Sequence, residues 1–344
     1  MIHARPLERL WWGTGLGPRV ARAALAPASF LYRVGTGIHS ALYRTRLRRP
    51  HPLALPAISV GNLTVGGTGK TPVAAWIATS LVRRGAHPAI VMRGYGDDEP
   101  LVHERLNPDV PVVVSPDRVR GAERAATLGA DIVVLDDAFQ HRRAARDADL
   151  VLLSADRWAS APRLLPAGPW RESLSALRRA SMVLVTRKAA SPAAASAVAD
   201  TIRHRFPGVA VGVVALTLQE LRSAAGESTM PLEALAGART LAIVAIGDPS
   251  AFLRQLAATD ATVRAAVFHD HHAYTPAEVA RLASMMTAGE MAVCTLKDAV
   301  KLAPHWPREA PPLWYVSQSV RVEEGRDALD ALLTRVLAAR PVHP

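Results

Sequence analysis

The fold class follows from one segment, residues 59–72, which reads SVGNLTVGGTGKTP. An apolar run at 57–60 leads into it and predicts a strand, and the alanine-rich run at 72–84 predicts a helix. A glycine-rich turn at a strand–helix junction that ends in Gly-Lys-Thr is typical of a phosphate loop, because glycines let successive N–H groups face phosphate oxygens. We therefore predict that the nucleotide is bound by Thr64, Val65, Gly66, Gly67, Thr68, Gly69, Lys70 and Thr71.

Two side chains of this loop have the chemistry that a nucleoside triphosphate requires. Lys70 would place a positive charge at the β- and γ-phosphates, and the Thr71 hydroxyl would hold Mg²⁺. Pro72 fits the first turn of a helix, where a missing N–H costs little. The loop departs from the strict pattern at Thr64, because that pattern has a glycine five residues before its last glycine.

Short β-branched runs alternate with alanine-rich runs along most of the remaining chain. This alternation predicts an α/β fold: a P-loop NTPase-like, mostly parallel sheet with helices on both faces. The predicted strands are residues 57–60, 89–92, 110–114, 132–135, 150–153, 182–185, 209–216, 241–246, 263–268 and 291–295. The predicted helices are residues 72–84, 118–128 and 191–205.

The length of 344 residues predicts more than one compact unit. A polar, less regular stretch at 219–231 is the candidate boundary. We expect residues 51–220 to form the P-loop core lobe and residues 221–344 to form a second, smaller α/β lobe that completes the site. Hydrophobic residues make up 49% of the chain and charged residues 21%, which excludes a disordered protein. Because Cys294 is the single cysteine, an intramolecular disulfide and a cysteine-ligated zinc cluster are also excluded.

Residues 1–50 are predicted to form a basic, apolar arm. Residues 1–49 contain nine arginines against one acid, Glu8, which gives a net charge of +8 out of +11 for the whole chain. Apolar residues such as Trp11 and Trp12 lie between the arginines. An interfacial helix needs this mixture, with rings at the acyl boundary and arginines on anionic headgroups. We therefore expect a membrane-associated helical arm.

Two other interpretations of the arm stay open. One is a helix that packs on the core with its arginines exposed to solvent. The other is a nucleic-acid-binding arm. The body after residue 49 is nearly neutral, so no nucleic-acid partner is expected. No 18-residue window is both apolar and uncharged, and no basic start leads into an apolar core. Neither a membrane-spanning helix nor a cleaved secretory signal is therefore expected.

A pair of acids follows a buried-strand pattern. Four apolar residues at 132–135 run directly into Asp136 and Asp137. Parallel strands deliver carboxylates to the sheet edge that also holds a phosphate loop, where they can organise Mg²⁺. A strand that ends in a polar turn is the alternative. Together with the loop, the pair indicates a protein that hydrolyses a nucleotide or transfers a phosphoryl group.

At this point the chain resembles a known family, the tetraacyldisaccharide 4'-kinases of lipid A biosynthesis. The resemblance rests on blocks that occur in order at 60–72, 93–96, 98–100, 136–141, 165–169, 270–272 and 297–301. It implies transfer of the ATP γ-phosphate to the 4'-hydroxyl of a tetraacyldisaccharide 1-phosphate, which gives lipid IVA. It also implies dependence on Mg²⁺, and attachment to the cytoplasmic face of the inner membrane through the N-terminal segment.

The resemblance also implies roles for residues outside the loop. A sugar hydroxyl must lose its proton as the phosphoryl group arrives, so a base has to touch it. Asp98 and His271 would form that base dyad. Asp270 and Glu99 would support the site, and Glu99 would belong to the residues that hold the metal. Arg118 would lie near phosphate, and His141 would lie near the site among the nucleotide-binding residues, with no specific role assigned. Less specific interpretations remain for each: a solvated acidic turn, a histidine cluster in a loop or with an adventitious metal, and a helix-start arginine.

Three positions depart from the family pattern. Asp97 stands where a glycine is usual and runs straight into Asp98, so the local hairpin and the choice of working carboxylate stay open. Leu296 stands where the family has a glutamate, and Ala138 where it has a glycine. The Ala138 change matters only if that position needs positive φ. Whether His271 acts as a base or as a positioning group also stays open.

Other P-loop proteins are the rival interpretations. A membrane-cycling regulatory ATPase has a signature lysine just before the paired glycines, and Val65 occupies that position here. A GTPase-type metallocentre chaperone has an Asn/Thr-Lys-x-Asp base-reading motif, and Leu296-Lys297-Asp298 has the wrong spacing. A pure switch would also have no use for a base near Asp98 and His271. The kinase interpretation is therefore preferred.

Overall fold

The computed structural model describes residues 6–94, 96, 98–159, 162–226 and 228–340. Asp97, one of the two candidates for the working carboxylate, lies outside the described residues. The helices within the described part are α1 (Pro6–Trp12), α2 (Leu16–Ala24), α3 (Ala26–Arg44), α4 (Lys70–Val82), α5 (Asp98–Leu106), α6 (Arg118–Thr127), α7 (Pro192–Arg205), α8 (Pro249–Ala257), α9 (Pro276–Ser284), α10 (Leu296–Leu302) and α11 (Arg326–Leu337). The strands are β1 (Ala57–Asn62), β2 (Pro88–Met92), β3 (Val112–Val114), β4 (Ile132–Asp136), β5 (Ala148–Ser154), β6 (Met182–Arg187), β7 (Ala210–Ser223), β8 (Thr229–Pro231), β9 (Arg239–Val244), β10 (Thr262–Val267), β11 (Glu290–Thr295) and β12 (Leu313–Glu324).

All twelve strands of the described chain join one sheet in the order β10-β9-β11-β12-β7-β6-β5-β1-β4-β2-β3, with β8 beside β7. Neighbours are parallel except where β7 pairs with β12 and with β8. β1 lies between β4 and β5, and Val60 is in register with Asp136. The predicted mostly parallel α/β sheet is confirmed, and its register brings the phosphate loop and the β4 acids to one edge.

Apolar side chains cover both faces of the sheet, because alternate residues of a buried strand point to opposite sides. On one face, α4 and α11 pack on β1, β4, β5 and β6. On the opposite face, α6 packs on β2 and β4, and α7 packs on β5 and β6. In the second half of the sheet, α9 and α10 cover one side of β9 and β11, and α8 covers the other. The prediction of helices on both faces is therefore confirmed.

The sequence prediction was wrong about the segment at 219–231. It was expected to be irregular, but β7 continues to Ser223 and β8 returns beside it. Leu216 and Leu218 alternate with polar residues, as in a half-buried strand, and the pairing with β12 has an irregularity between Leu218 and Leu221. The helix α5 and the β12–α11 unit were not predicted at all. The division into lobes at residue 220 stays a prediction.

The N-terminal segment forms three helices that dock against the body through a few polar contacts. Trp11 Nε1 donates to the carbonyl of Pro166 at 2.9 Å. Ser29 Oγ donates to the Leu164 carbonyl and accepts from the Ala167 N–H. No residue of α2 or α3 is buried. Among the described helices, none is both long and apolar enough to span a bilayer.

The core around β5 should be sensitive to cavities. Leu150 lies on β5, the strand between β1 and β6, and is fully buried. Leu128, at the end of α6, is 53% exposed. We expect Leu150→Ala to lower the free energy of unfolding by about 2–5 kcal/mol, because the site cannot collapse around the lost atoms. Leu128→Ala is the matched control and should change it by less than about 0.5 kcal/mol. Urea denaturation of both variants measures the difference, and equal losses would contradict the assigned core.

Candidate active site

The phosphate loop joins β1 to α4 and is held in shape from both sides. Gly66 and Gly69 have φ of 111° and 86°, a left-handed conformation that favours glycine. A side chain at Gly69 would also collide with Leu216. Asn62 Nδ2 donates to Thr68 Oγ1 at 2.7 Å, and Thr186 Oγ1 donates to the Thr68 carbonyl at 2.9 Å. The loop is thus preorganised at the positive N-terminal end of a 13-residue helix.

Lys70 at the end of the loop is already paired with Asp137. Its Nζ lies 3.6 Å from Asp137 Oδ2, and Arg171 Nη1 donates to both oxygens of the same carboxylate at 3.0 and 3.1 Å. Burial would raise the pKa of Asp137, but the charges of Lys70 and Arg171 hold it below its ordinary value. Asp137 has a positive φ of 49°, so the left-handed position of this block is Asp137 rather than Ala138. The change to alanine at 138 is therefore tolerated.

Asp136 is the last residue of β4, and only one of its two carboxylate oxygens has a hydrogen-bond partner among the described residues. Its Oδ2 lies 2.9 Å from Nε2 of the fully buried His103, whereas Oδ1 is buried without a hydrogen-bond partner among the described residues. Nearby, burial and the negative charge of Asp136 raise the pKa of Glu99. This concentration of negative charge would be relieved by a cation. Among the described residues, no three His, Cys, Asp or Glu side chains converge as a metal site by themselves.

Asp98 and His271 meet although 173 positions separate them in sequence. Asp98 begins α5 and is 3% exposed, so it is not a solvated acidic turn. Its Oδ1 lies 3.0 Å from His271 Nδ1. Burial would raise the pKa of Asp98, but the hydrogen bond from His271 and the charge of Lys297 lower it to about 2. A side chain at Gly96 would lie 2.7 Å from both partner atoms, so a glycine is required beside this pair.

The loop after β10 also brings Asp270 next to the phosphate loop. Asp270 Oδ1 lies 4.0 Å from His271 Nε2. Its Oδ2 is close to Gly247, where a side chain would lie 3.2 Å from it and 2.7 Å from the Gly67 nitrogen. Because Gly247 is a glycine, the loop after β9 can touch the phosphate loop. The two halves of the sheet therefore meet at the site.

One cavity of about 1430 Å³ joins these groups. Its lining includes Val65–Thr71 of the loop together with Glu99, Arg118, Asp136, Asp137, His141, Asp270 and His271. Two of the predicted residues are not part of this lining. Asp98 is buried beneath His271, and Thr64 pairs instead with Trp170 outside the cavity.

Arg118 and His141 both line the cavity, and the hydrogen bonds of Arg118 favour a supporting role for that arginine. Arg118 is 2% exposed, and its Nη atoms donate to the carbonyls of Ser115 and Asp136. It therefore fixes the end of β4, as a helix-start arginine can. Burial and the charge of Arg118 lower the pKa of His141, which favours a neutral imidazole. His269 and His272, which flank Asp270 and His271 in sequence, contact each other at 2.8 Å between ring nitrogens. His272 Nε2 also lies 3.3 Å from Glu278 Oε2.

Several residues of the site escaped the sequence analysis. Lys188 follows β6 and donates from Nζ to the carbonyl of Gly67 at 3.0 Å, and burial lowers its pKa. Its position three residues after the predicted strand at 182–185 was an available signal. His103 had no signal, since α5 was not predicted. Arg171 reaches the site from a loop, and Lys297, which belongs to a family block but was given no role, reaches it from the first turn of α10. Only the packing of the whole chain fixes the direction of these two side chains.

A phosphate loop alone would serve a switch as well as an enzyme. A histidine with a buried carboxylate partner, facing that loop across one cavity, is what phosphoryl transfer to an acceptor requires. The fold and site therefore define a phosphotransferase of the P-loop class. The sequence model of the Tetraacyldisaccharide-1-P 4'-kinase family matches residues 21–100 and 96–338, and the chain belongs to this family.

Individual relatives agree with this assignment. A protein named Tetraacyldisaccharide 4'-kinase from Anaeromyxobacter sp. (strain Fw109-5) is 37% identical, over 96% of this chain and 97% of its own length. One of the same name from Halorhodospira halophila (strain DSM 244 / SL1) is 36% identical, over 95% and 97%. The crystal structure of LpxK from Aquifex aeolicus in complex with ATP has a TM-score of 0.71 and 27% identity, and covers 92% of this chain and 99% of its own. The similarity therefore extends over at least 92% of the chain in each of these comparisons.

The low pKa of Asp98 predicts a pH dependence of stability. The folded value of about 2 lies below the ordinary 3.8, so ionised Asp98 stabilises the fold above about pH 4. This contribution, about 2 kcal/mol, is lost as the pH falls toward 2. Asp98→Asn should therefore be less stable than the wild type at pH 6, with a gap that narrows toward pH 3. The exposed Asp109→Asn is the control, and urea denaturation at several pH values measures each gap. A gap independent of pH would contradict the assignment.

Proposed function

We propose that this chain is an ATP-dependent tetraacyldisaccharide 4'-kinase. It transfers the γ-phosphate of ATP to the 4'-hydroxyl of tetraacyldisaccharide 1-phosphate and forms lipid IVA in lipid A biosynthesis. The observation that carries the proposal is the single cavity that joins the phosphate loop to His271, in a chain of this family. Incubation with labelled ATP and the acylated disaccharide tests it directly. Label must appear on the lipid, and release of labelled phosphate alone would support a regulatory ATPase instead.

The phosphate loop and Lys70 would hold the nucleotide. Its backbone N–H groups, including that of Gly67, would bind phosphate oxygens, and Lys70 would neutralise charge on the transferred group. For that, Lys70 must exchange its contact with Asp137 at 3.6 Å for the phosphate. Arg171 stays on Asp137 and keeps this carboxylate paired when Lys70 leaves.

His271 would remove the proton from the acceptor. As the 4'-oxygen bonds to the γ-phosphorus and the bond to the leaving ADP breaks, the hydroxyl proton passes to Nε2 of the imidazole. The resulting imidazolium is stabilised by the carboxylate of Asp98, which faces Nδ1 at 3.0 Å. Asp270 would help to orient the acceptor from the adjacent position. The proton then leaves to solvent through the open side of the cavity.

The oxygen-bearing side chains in this part of the cavity are suitable ligands for Mg²⁺. The free Oδ1 of Asp136 is an unsatisfied hard oxygen donor, and Thr71, Asp137 and Glu99 line the same cavity. Mg²⁺ in kinases takes only one or two carboxylates, and water and phosphate oxygens supply the remaining ligands. Bound there, it would neutralise the charge on the β- and γ-phosphates. Of the two β4 acids, Asp136 is the better candidate, since Arg171 occupies Asp137. His103 would hold Asp136 in place from behind.

The arm would place the enzyme at a membrane whose lipids carry its substrate. Large apolar side chains are exposed along it, among them Leu16, Val20, Phe30, Leu31, Val34 and Ile38. Trp11 and Tyr32 of the same arm line the catalytic cavity. Arginines flank this apolar surface, which favours anionic headgroups. The location that we propose is the cytoplasmic face of the inner membrane, as a peripheral or monotopic protein.

Loss of either central group should abolish most transfer. Lys70→Ala removes a charge on the transferred phosphate, and His271→Ala removes the base. Each should lower kcat/KM for the lipid acceptor by about 10²–10⁴-fold. His204→Ala, on the exposed end of α7, is the control and should keep wild-type turnover. Near-wild-type turnover of purified His271→Ala would remove the base assignment.

Membrane binding should depend on the exposed apolar side chains of α3. The triple variant Phe30→Ser, Leu31→Ser, Val34→Ser should bind vesicles of phosphatidylglycerol and phosphatidylcholine at least about tenfold more weakly, since each buried apolar side chain contributes about 1.5–3 kcal/mol. Leu128→Ser, exposed on the body, serves as the control. Co-sedimentation with vesicles measures binding. Undiminished co-sedimentation of the triple variant would contradict the anchoring role.

A further inference from the structure

The nitrogen of His271 that would accept the substrate proton is already in contact with a lysine. Lys297 is the second residue of α10, and its Nζ lies 3.0 Å from His271 Nε2. This is the ring nitrogen that faces away from Asp98, whose Oδ1 lies 3.0 Å from Nδ1. The imidazole is therefore held between a carboxylate and an ammonium.

The hydrogen-bonding capacities of Lys297, His271 and Asp98 determine which ring nitrogen of His271 carries the proton. A lysine ammonium has three donors and no acceptor, so the hydrogen bond to Nε2 requires that Nε2 accepts. The single ring proton of neutral His271 is then on Nδ1, where it is donated to Asp98. This is the tautomer that a general base needs, because its lone pair on Nε2 faces the cavity. In this arrangement, however, Lys297 occupies that lone pair.

Besides Glu99 Oε1 at 3.7 Å, two carboxylate oxygens that accept no hydrogen bond lie within about 4 Å of the Lys297 ammonium. Asp270 Oδ1 lies 3.8 Å from its Nζ, and Asp98 Oδ2 lies 3.9 Å away. Both oxygens are buried, and neither has a hydrogen-bond partner among the described residues. A displacement of about 1 Å on a flexible four-carbon side chain would satisfy either of them. Lys297 can therefore leave Nε2 without losing its partners.

We propose that Lys297 is a positioning residue that covers Nε2 of His271 until the acceptor arrives. The entering sugar hydroxyl displaces the ammonium onto Asp270 and Asp98, and takes over the hydrogen bond to Nε2. The base is thus held in the correct tautomer and shielded from other proton donors while no acceptor is bound. This inference rests on the proposed function, because it assigns the incoming hydroxyl to the same nitrogen.

The test compares the accessibility of Nε2 in substrate-free protein. Diethyl pyrocarbonate acylates neutral imidazole nitrogens, and tandem mass spectrometry separates His271 from its neighbours His269 and His272. We expect Lys297→Met to speed carbethoxylation of His271 by at least about threefold, because no charged donor has to leave Nε2 first. Lys297→Arg keeps a donor and should stay close to the wild-type rate.

Rates are compared on the alkaline plateau, where the ring is neutral in every variant. Altered charge around His271, from Asp98, Glu99, Asp270 and Lys301, then does not affect the comparison. Lys301→Met is the matched control, since Lys301 lies one turn along the same helix and reaches Asp98 Oδ2 at 3.5 Å rather than the imidazole. Its carbethoxylation rate at His271 should match that of the wild type. Thermal melting confirms that each variant is folded.

Kinetics provide a second, independent readout. If Lys297 competes with the hydroxyl for Nε2, Lys297→Met should lower KM for the acceptor lipid and leave KM for ATP unchanged. Unchanged carbethoxylation of His271 in Lys297→Met, or a raised acceptor KM, would overturn the proposal. Failure of the wild-type protein to label the lipid would refute the proposed function instead, and the carbethoxylation rates would still report on the Lys297 contact.

Discussion

The antiparallel pairing of β7 with β12 is the constraint on which the site depends. It joins the strands around β1 to those around β9 within one sheet. Only with that pairing do the loops after β9 and β10 lie over the phosphate loop, where Gly247 touches Gly67. A long strand pair fixes such an arrangement well, because many backbone hydrogen bonds and a buried apolar face oppose slippage of its register.

The second constraint is electrostatic. Several carboxylates lie in or directly behind the lining of one partly buried cavity, and each is stabilised differently. Asp98 is held by an imidazole and lysines, and Asp137 by Arg171 and Lys70. Asp136 keeps one oxygen without a partner, and burial raises the pKa of Glu99. This division separates a carboxylate that supports a base from those that can receive a cation, since a paired carboxylate gains little from a metal.

The helix α5 connects these two functions. It carries Asp98 and Glu99 in its first turn and His103 further along, so one rigid element faces both the base and Asp136. A helix keeps such spacings better than a loop does, because its backbone hydrogen bonds fix every residue. The proposed displacement of Lys297 adds one movable group to this otherwise fixed set.

Local sequence patterns were sufficient to predict the phosphate loop, the parallel α/β class and the acids at the end of β4. These depend on local glycine geometry and on strand periodicity, which neighbouring residues encode. Long-range packing, in contrast, is what extends β7 through 219–223, forms α5 and brings Lys297 to His271. Asp98 and His271 lie 173 positions apart, and no local pattern measures the distance between their side chains. That distance comes from the packing of strands far apart in the chain, because burial of their shared apolar faces sets the register.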